Sequence, residues 1–287
     1  MKNCLKCLLL LVSILFTSCT KEEIKKGKPL VLVSIAPYKY FIEKIAGSQF
    51  EIMSIVPEGV NSHTYEPSPK DIAHMGRAII WFRIGDPFEK KLAKKLLEHN
   101  PHLDIQDLNA TVKLLSYSED TVGSHHHGLD LHTWLSPDYA AKQSEAIAET
   151  CARHFSEHSS VYRKNFHALL EEFSNLDLEI QSILFHLKSR AFLTSHPSFG
   201  YFCNKYNLKQ ISVEIEGKDP RPKDLENILS LARENHVRVM LMQPQFSSKG
   251  ALLVAKKLDI PAKIVDPYSY EYPKTLLRIA HLVKEPK

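Results

Sequence analysis

Four residues of this sequence join a metal-competent side chain to a place where a strand is expected to end or a helix to start: His63, His132, His196 and Asp266. His63 lies in Val56-Pro-Glu-Gly-Val-Asn-Ser-His-Thr-Tyr-Glu-Pro67, a turn-rich loop after the strand-like Glu51-Ile-Met-Ser-Ile-Val56. His132 lies in Asp130-Leu-His-Thr-Trp-Leu-Ser-Pro137, just before a helix start, and His196 in Thr194-Ser-His-Pro197, just after the apolar Ala191-Phe-Leu. Asp266 closes Ala262-Lys-Ile-Val and precedes Pro267. Imidazole nitrogen with one carboxylate suits a borderline-soft divalent cation, and four such ligands complete the tetrahedral shell that zinc prefers. A calcium or magnesium site would require more carboxylates. Taken singly, each histidine would serve equally well as a helix cap or a hydrogen-bonded core residue. Only a fold that gathers them makes a site.

The elements that would position them are written twice. Glu66-Pro-Ser-Pro-Lys-Asp-Ile72 reappears as Asp219-Pro-Arg-Pro-Lys-Asp-Leu225. Upstream, Leu30-Val-Leu-Val-Ser-Ile-Ala-Pro37 followed by Tyr40-Phe41 parallels Ala191-Phe-Leu-Thr-Ser-His-Pro197 followed by Tyr201-Phe202. Downstream, Ala78-Ile-Ile-Trp-Phe-Arg-Ile84 parallels Val237-Arg-Val-Met-Leu-Met242, short apolar runs of the kind that form buried parallel strands. Proline just inside a helix start wastes no hydrogen bond, so the Pro-Lys-Asp repeat reads as a helix opening. The expectation is an α/β protein of two similar βαβ-type lobes with parallel sheets. Ligands bind beyond the carboxyl ends of such strands, which places a site in the cleft between the lobes.

Between the halves, Ser136-Pro-Asp opens one helix, with serine at the N-cap. A second follows Glu157-His-Ser-Ser. Its apolar residues Phe166, Leu169, Leu170, Phe173, Leu176, Ile180, Ile183, Leu184 and Leu187 keep helical spacing, and no Gly or Pro interrupts 161–190. The expected divisions are an N-terminal lobe over 28–158, a long rigid connecting helix over 159–190, on the order of 40 Å long, and a C-terminal lobe over 191–287.

The first residues carry an address. Lys2 and Lys6 precede the apolar Leu8 to Phe16, which is too short to span a membrane, then Thr17-Ser18-Cys19 and a charged stretch. This reads as a signal peptide over 1–18 and a tether over 19–27. The small pair before Cys19 resembles a bacterial lipobox, with Phe16 where leucine is usual, and makes Cys19 the lipidation candidate. The formal net charge is only +4 and falls by two when Lys2 and Lys6 leave, which implies no nucleic-acid partner. Cys151 and Cys203 remain as a potential disulfide or as two buried thiols.

These motifs together, over essentially the whole mature chain, resemble the metal-specific solute-binding proteins of ABC transporters, the ZnuA/TroA-like family. Pro-x-Gly-x-x-x-His-x-Tyr-Glu-Pro at 57–67, Asp-x-His-x-Trp-Leu-Ser-Pro at 130–137, Ser-His-Pro-x-x-x-Tyr-Phe at 195–202, Glu-Gly-x-x-Pro-x-Pro-x-x-Leu at 216–225 and Val-Asp-Pro at 265–267 carry the likeness. The resemblance implies metal held between the lobes by His63 and His132 on one side and His196 and Asp266 on the other. A third histidine goes with zinc in this family, with manganese or ferrous iron as alternatives. It further implies an ABC permease and its ATPase as partners. The expected location is exported, in the periplasm or on the outer face of the cell membrane, lipid-anchored, and the expected state a monomer. Some surface lipoproteins of the family have been called adhesins, the reading of another class. The adjacent His125, His126 and His127 resemble a short version of the His-rich loop of zinc-handling relatives and are candidates for gathering metal, or equally a solvated loop.

No His-Glu-x-x-His, Gly-x-Ser-x-Gly or Walker loop occurs, and Glu58, Glu66 and Glu216 stand in Glu-Gly and Glu-Pro contexts that read as structural rather than as general bases. An enzyme is not expected.

Overall fold

The computed structural model describes residues 27–116, 128–214, 220–247 and 249–285. The first lobe runs β1 (Leu30–Val33), α1 (Ala36–Ala46), β2 (Glu51–Ser54), α2 (Pro69–Met75), β3 (Ile80–Arg83), α3 (Pro87–His99) and β4 (Asp104–Asp107). A two-residue antiparallel pair, β5 (Leu115–Ser116) and β6 (Leu129–Asp130), leads to α4 (Pro137–His154) and the long α5 (Ser159–Leu184). The second lobe runs β7 (Ala191–Thr194), α6 (Gly200–Tyr206), β8 (Lys209–Ser212), α7 (Pro222–Glu234), β9 (Met240–Met242), α8 (Lys249–Leu258) and β10 (Ala262–Ile264), and α9 (Tyr272–Lys284) closes the chain.

Both four-stranded sheets are parallel throughout, and they share one topology. The first has the order β2-β1-β3-β4 and the second β8-β7-β9-β10, so in each the first strand lies between the second and the third. The first strands, Leu-Val-Leu-Val and Ala-Phe-Leu-Thr, are buried along their length, as expected of a strand covered on both faces. The repeated Pro-Lys-Asp segment opens α2 at Pro69 and α7 at Pro222. At α2 the cap is complete: Ser68 accepts from the Asp71 N–H, and Asp71 accepts from the Ser68 N–H.

Helix α5 is a strut shared by the two lobes. Phe41 of α1, Phe173 of α5 and Tyr272 of α9 meet edge to face, with centroids 5.4 Å apart for Phe41 and Phe173, 4.8 Å for Phe41 and Tyr272, and 5.6 Å for Phe173 and Tyr272. One apolar cluster therefore includes Val31 and Phe82 of the first sheet and Phe192 and Leu241 of the second. Each lobe adds a smaller core on the far face of its own sheet. Hydrogen bonds lock the same seam: Tyr270 donates to Glu43 at 2.6 Å, and the Tyr272 hydroxyl donates to the Trp134 carbonyl at 2.8 Å.

The helix stops at Leu184 although its periodic, Gly- and Pro-free pattern continues to Arg190. Tertiary bonds capture the remainder. Ser189 Oγ donates to the Asn235 carbonyl at 3.1 Å and Arg190 to that of Tyr206 at 3.2 Å, which ties 185–190 into the second lobe. The helical part alone measures about 39 Å at 1.5 Å per residue.

Cys151 and Cys203 are buried and not joined. Burial pushes the Cys151 thiol up to about 12 and that of Cys203 further. Among the described residues no helix is long and apolar enough to cross a membrane. The expected signal peptide and Cys19 lie outside the described residues, as do Glu216 and His125, His126 and His127, the candidates for gathering metal.

Candidate metal centre

All the chemistry-bearing side chains of the cleft follow the carboxyl ends of strands. In the first lobe β2 leads to His63, β3 to Asp86 and β6 to His132. In the second, β7 leads to His196, β8 to Glu214, β9 to Gln243 and Gln245, and β10 to Asp266.

His63 sits in a single 3-10 turn (Ser62–Thr64), where Asn61 Oδ1 accepts its backbone N–H at 2.9 Å. Its Nδ1 lies 3.4 Å from Asp86 Oδ2, and Asp86 also accepts from Ser62 Oγ at 2.9 Å. Tyr268, from beyond β10, reaches across the cleft to within 3.1 Å of the same serine oxygen. Burial would lower the pKa of His63, but the hydrogen bond and charge of Asp86, with the charge of Glu214, outweigh it and raise it above the ordinary value of 6.5. Desolvation works against the charged form of Asp86 too, yet its contact with His63 and the Ser62 bond hold its carboxyl below 3.8.

His132 and His196 are each only 3% exposed. Asp130 Oδ1 accepts the His132 backbone N–H at 2.9 Å and faces the ring Nδ1 at 2.8 Å. Both oxygens of Glu214 face His196 Nδ1 at 3.2 Å. An ionised carboxylate can only accept, so in both histidines Nδ1 carries the proton and Nε2 is the nitrogen for a metal. The backbone of His196 is clamped by Gln243, whose Oε1 accepts from the His196 N–H at 3.1 Å and whose Nε2 donates to the His196 carbonyl at 2.7 Å. That amide also bonds Thr194, Ser195 and Ser198. Phe246 lies flat on the His196 ring, centroids 3.9 Å apart and planes 7° from parallel.

The three imidazoles converge: one nitrogen of each lies within 4.8 Å of the other two, and no other such group of His, Cys, Asp or Glu occurs among the described residues. Nitrogens at 2.0–2.1 Å around one tetrahedral ion would be about 3.4 Å apart, so the set needs only to tighten. His63 is the exposed wall, opening on a groove of about 440 Å³ lined by Tyr65, Ile72 and Phe88. Asp266 stands outside the three-nitrogen group. It is half-buried, and its Oδ1 accepts from Gln245 Nε2 at 2.6 Å and from the Tyr268 N–H at 2.8 Å.

Of the four residues read from the sequence, the fold therefore gathers the three histidines and holds Asp266 at the rim by its own hydrogen bonds. Glu58 and Glu66 are exposed, and Glu66 is paired with Lys91 at 2.8 Å. Sequence reasoning did not single out Asp86, Glu214, Gln243, Gln245 or Phe246. The signal that would have found Asp86 is its position just after the strand-like run over 78–84, whereas Glu214 follows β8, which no apolar run in the sequence marks.

Comparison with known proteins gives the family and the fold. The family model described as ZnuA, zinc-uptake complex component A, periplasmic, matches residues 31–276. A protein of Chlamydia trachomatis serovar D named as metal-binding is 29% identical over 273 residues, covering 95% of this chain and 96% of that one. A crystal structure of ZnuA superposes with a TM-score of 0.83 at 31% identity, over 90% of this chain and 98% of that one. A zinc-bound ZnuA deletion mutant gives 0.82 at 30% identity, over 90% and 97%.

Proposed function

Since this chain belongs to the ZnuA family of periplasmic zinc-uptake components, and so is a metal carrier rather than an enzyme, we propose that it captures zinc between its lobes and hands it to an ABC permease and its ATPase for import. The observation that carries the reading is the convergence of His63 and His132 from one lobe with His196 from the other, each with a carboxylate against its Nδ1. Asp266 supplies the fourth ligand through Oδ2, moving inward as the three nitrogens tighten on the ion. Three imidazoles and one carboxylate oxygen favour zinc over manganese or ferrous iron. The relative whose structure is described as zinc-bound supports the same choice.

In this reading residues 1–18 direct export, Cys19 carries the lipid that holds the carrier at the membrane, and the carrier works as a monomer. The core shared through Phe41, Phe173 and Tyr272 resists a wide hinge motion. Release then comes from small displacements of the ligand-bearing loops when the permease docks.

The test is thermal unfolding of the mature chain with zinc and with manganese. Zinc at one hundred times its dissociation constant adds about 2.7 kcal/mol, which raises Tm by about 5–10 °C in a domain of this size. His63→Ala and Asp266→Ala should each reduce that rise. Absence of stabilisation by either metal, or variants that respond like wild type, would sink the assignment.

A further inference from the structure

We infer that Gln245 sets the metal preference of this site by fixing how Asp266 offers its carboxylate; the inference rests on the assignment of Asp266 as a ligand. Gln245 occupies the turn between β9 and α8, is 8% exposed, and donates through Nε2 to Asp266 Oδ1 at 2.6 Å. The backbone N–H of Tyr268 donates to the same oxygen at 2.8 Å. Both hydrogen bonds that this carboxylate accepts among the described residues thus fall on Oδ1. An oxygen committed to two charge-assisted bonds is a poor metal ligand unless it gives them up. Oδ2 is left to bind, and it binds alone.

One carboxylate oxygen with three imidazoles makes a tetrahedral shell, which suits zinc. Manganese and ferrous ions favour higher coordination and gain from a carboxylate that binds through both oxygens. Holding Oδ1 back therefore penalises them more than it penalises zinc. The Tyr268 donor is main chain and cannot vary, so the side chain at position 245 is the adjustable part. Its orientation is dictated by the carboxylate: aspartate can only accept, so the NH₂ must face it, which leaves the buried Gln245 Oε1 without a hydrogen-bond partner among the described residues. The amide is placed to serve Asp266 and not its own satisfaction. Gln243, clamped to the His196 loop, and Phe246, stacked on its ring, fix the turn on either side.

Gln245→Met keeps the apolar volume and removes the donor. Competition titrations of the full mature chain, wild type and variant, with zinc alone and manganese alone against a common chelator, give the affinity ratio, and unfolding of the metal-free proteins is measured alongside. The ratio of zinc to manganese affinity should fall about tenfold in the variant, the scale of one charge-assisted hydrogen bond. Equal weakening of both metals would be a merely structural effect and overturns the inference, as does an unchanged ratio. X-ray absorption of manganese-loaded wild type is independent of whether the variant folds: a single Asp266 oxygen on the metal supports the inference, and two oxygens overturn it. Failure of the wild type to bind either metal overturns the site assignment and this inference together, whereas a wild-type zinc preference that Gln245→Met leaves intact overturns the inference alone.

Discussion

Asp130 holds both the ring and the main chain of His132 with one oxygen: Oδ1 faces the ring Nδ1 at 2.8 Å and accepts the backbone N–H at 2.9 Å. The pair is almost fully buried, at 2% and 3% exposure, so the carboxylate fixes tautomer and orientation where water cannot substitute.

Asp130→Asn should therefore weaken zinc binding by about 10- to 100-fold. A competition titration against a chromogenic chelator reads this directly. A loss smaller than about threefold, in a variant whose circular dichroism matches wild type, would mean that Asp130 is structural only.

Gly200, at the first position of α6, leaves the space that the Asp130 carboxylate occupies. A Cβ there would collide with Asp130 Oδ2, while Gln210 Nε2 would stand at ordinary contact distance, 3.6 Å. Gly200→Ala should push the carboxylate off His132, weaken zinc binding in the same direction, and cost about 1–3 kcal/mol of stability. The double variant Gly200→Ala with Asp130→Asn should lose less affinity than the two single losses combined, because both act on one contact. Strictly additive losses would refute the shared route.

In the proposed site zinc must displace the proton that Asp86 helps His63 to keep. Because the His63 pKa is raised above 6.5, affinity should begin to fall above that pH as the solution is acidified. Asp86→Asn removes the main groups that raise it, so the ratio of affinity at pH 8 to that at pH 6 should be smaller in the variant than in wild type. Titrations at the two pH values decide, and equal ratios would count against the coupling.

Metal-free stability should run the opposite way. Glu89, 1% exposed, accepts from Ser34 Oγ at 2.5 Å and from the Ile84 and Gly85 N–H groups at 3.0 and 2.7 Å, yet burial prevails and its pKa rises from 4.5 to about 7. A raised pKa contributes stability fully present below 4.5 and lost as pH climbs through about 7, on the order of 3 kcal/mol for this shift. His63 has the same sign, with stability full below 6.5 and lost through its raised value. The lowered pKa of Asp86 matters only below 3.8. Thermal melts of the metal-free chain should thus show Tm falling from pH 5 to pH 8, with a shallower slope in Glu89→Gln. A flat profile in wild type would contradict the burial argument.

Much of the two-lobe design is legible in the residues themselves. The prolines of the Pro-Lys-Asp repeat open equivalent helices at Pro69 and Pro222, and the apolar runs ending at Ile84 and Met242 form the third strands of two sheets with one strand order. His63 and His196 are legible because each follows a strand-like run, and His132 because it stands just before a helix start. What is not legible depends on contacts between segments far apart in the chain. Glu214 finds His196 only because β8 lies beside β7, and Gln245 reaches Asp266 only because β9 lies beside β10. Local pattern likewise cannot reveal that Ser189 and Arg190 leave a helical run to satisfy carbonyls in the second lobe.

Trp134 is 1% exposed, its ring is 5.3 Å from that of His132, and its Nε1 donates at 2.9 Å to the carbonyl of Pro267, the residue after Asp266. The only other tryptophan, Trp81, is bonded instead to Ser34 beneath the first sheet. This indole is thus wedged between the turns of His132 and Asp266, two of the proposed ligands. Emission from this indole should therefore shift when zinc is added to the metal-free chain.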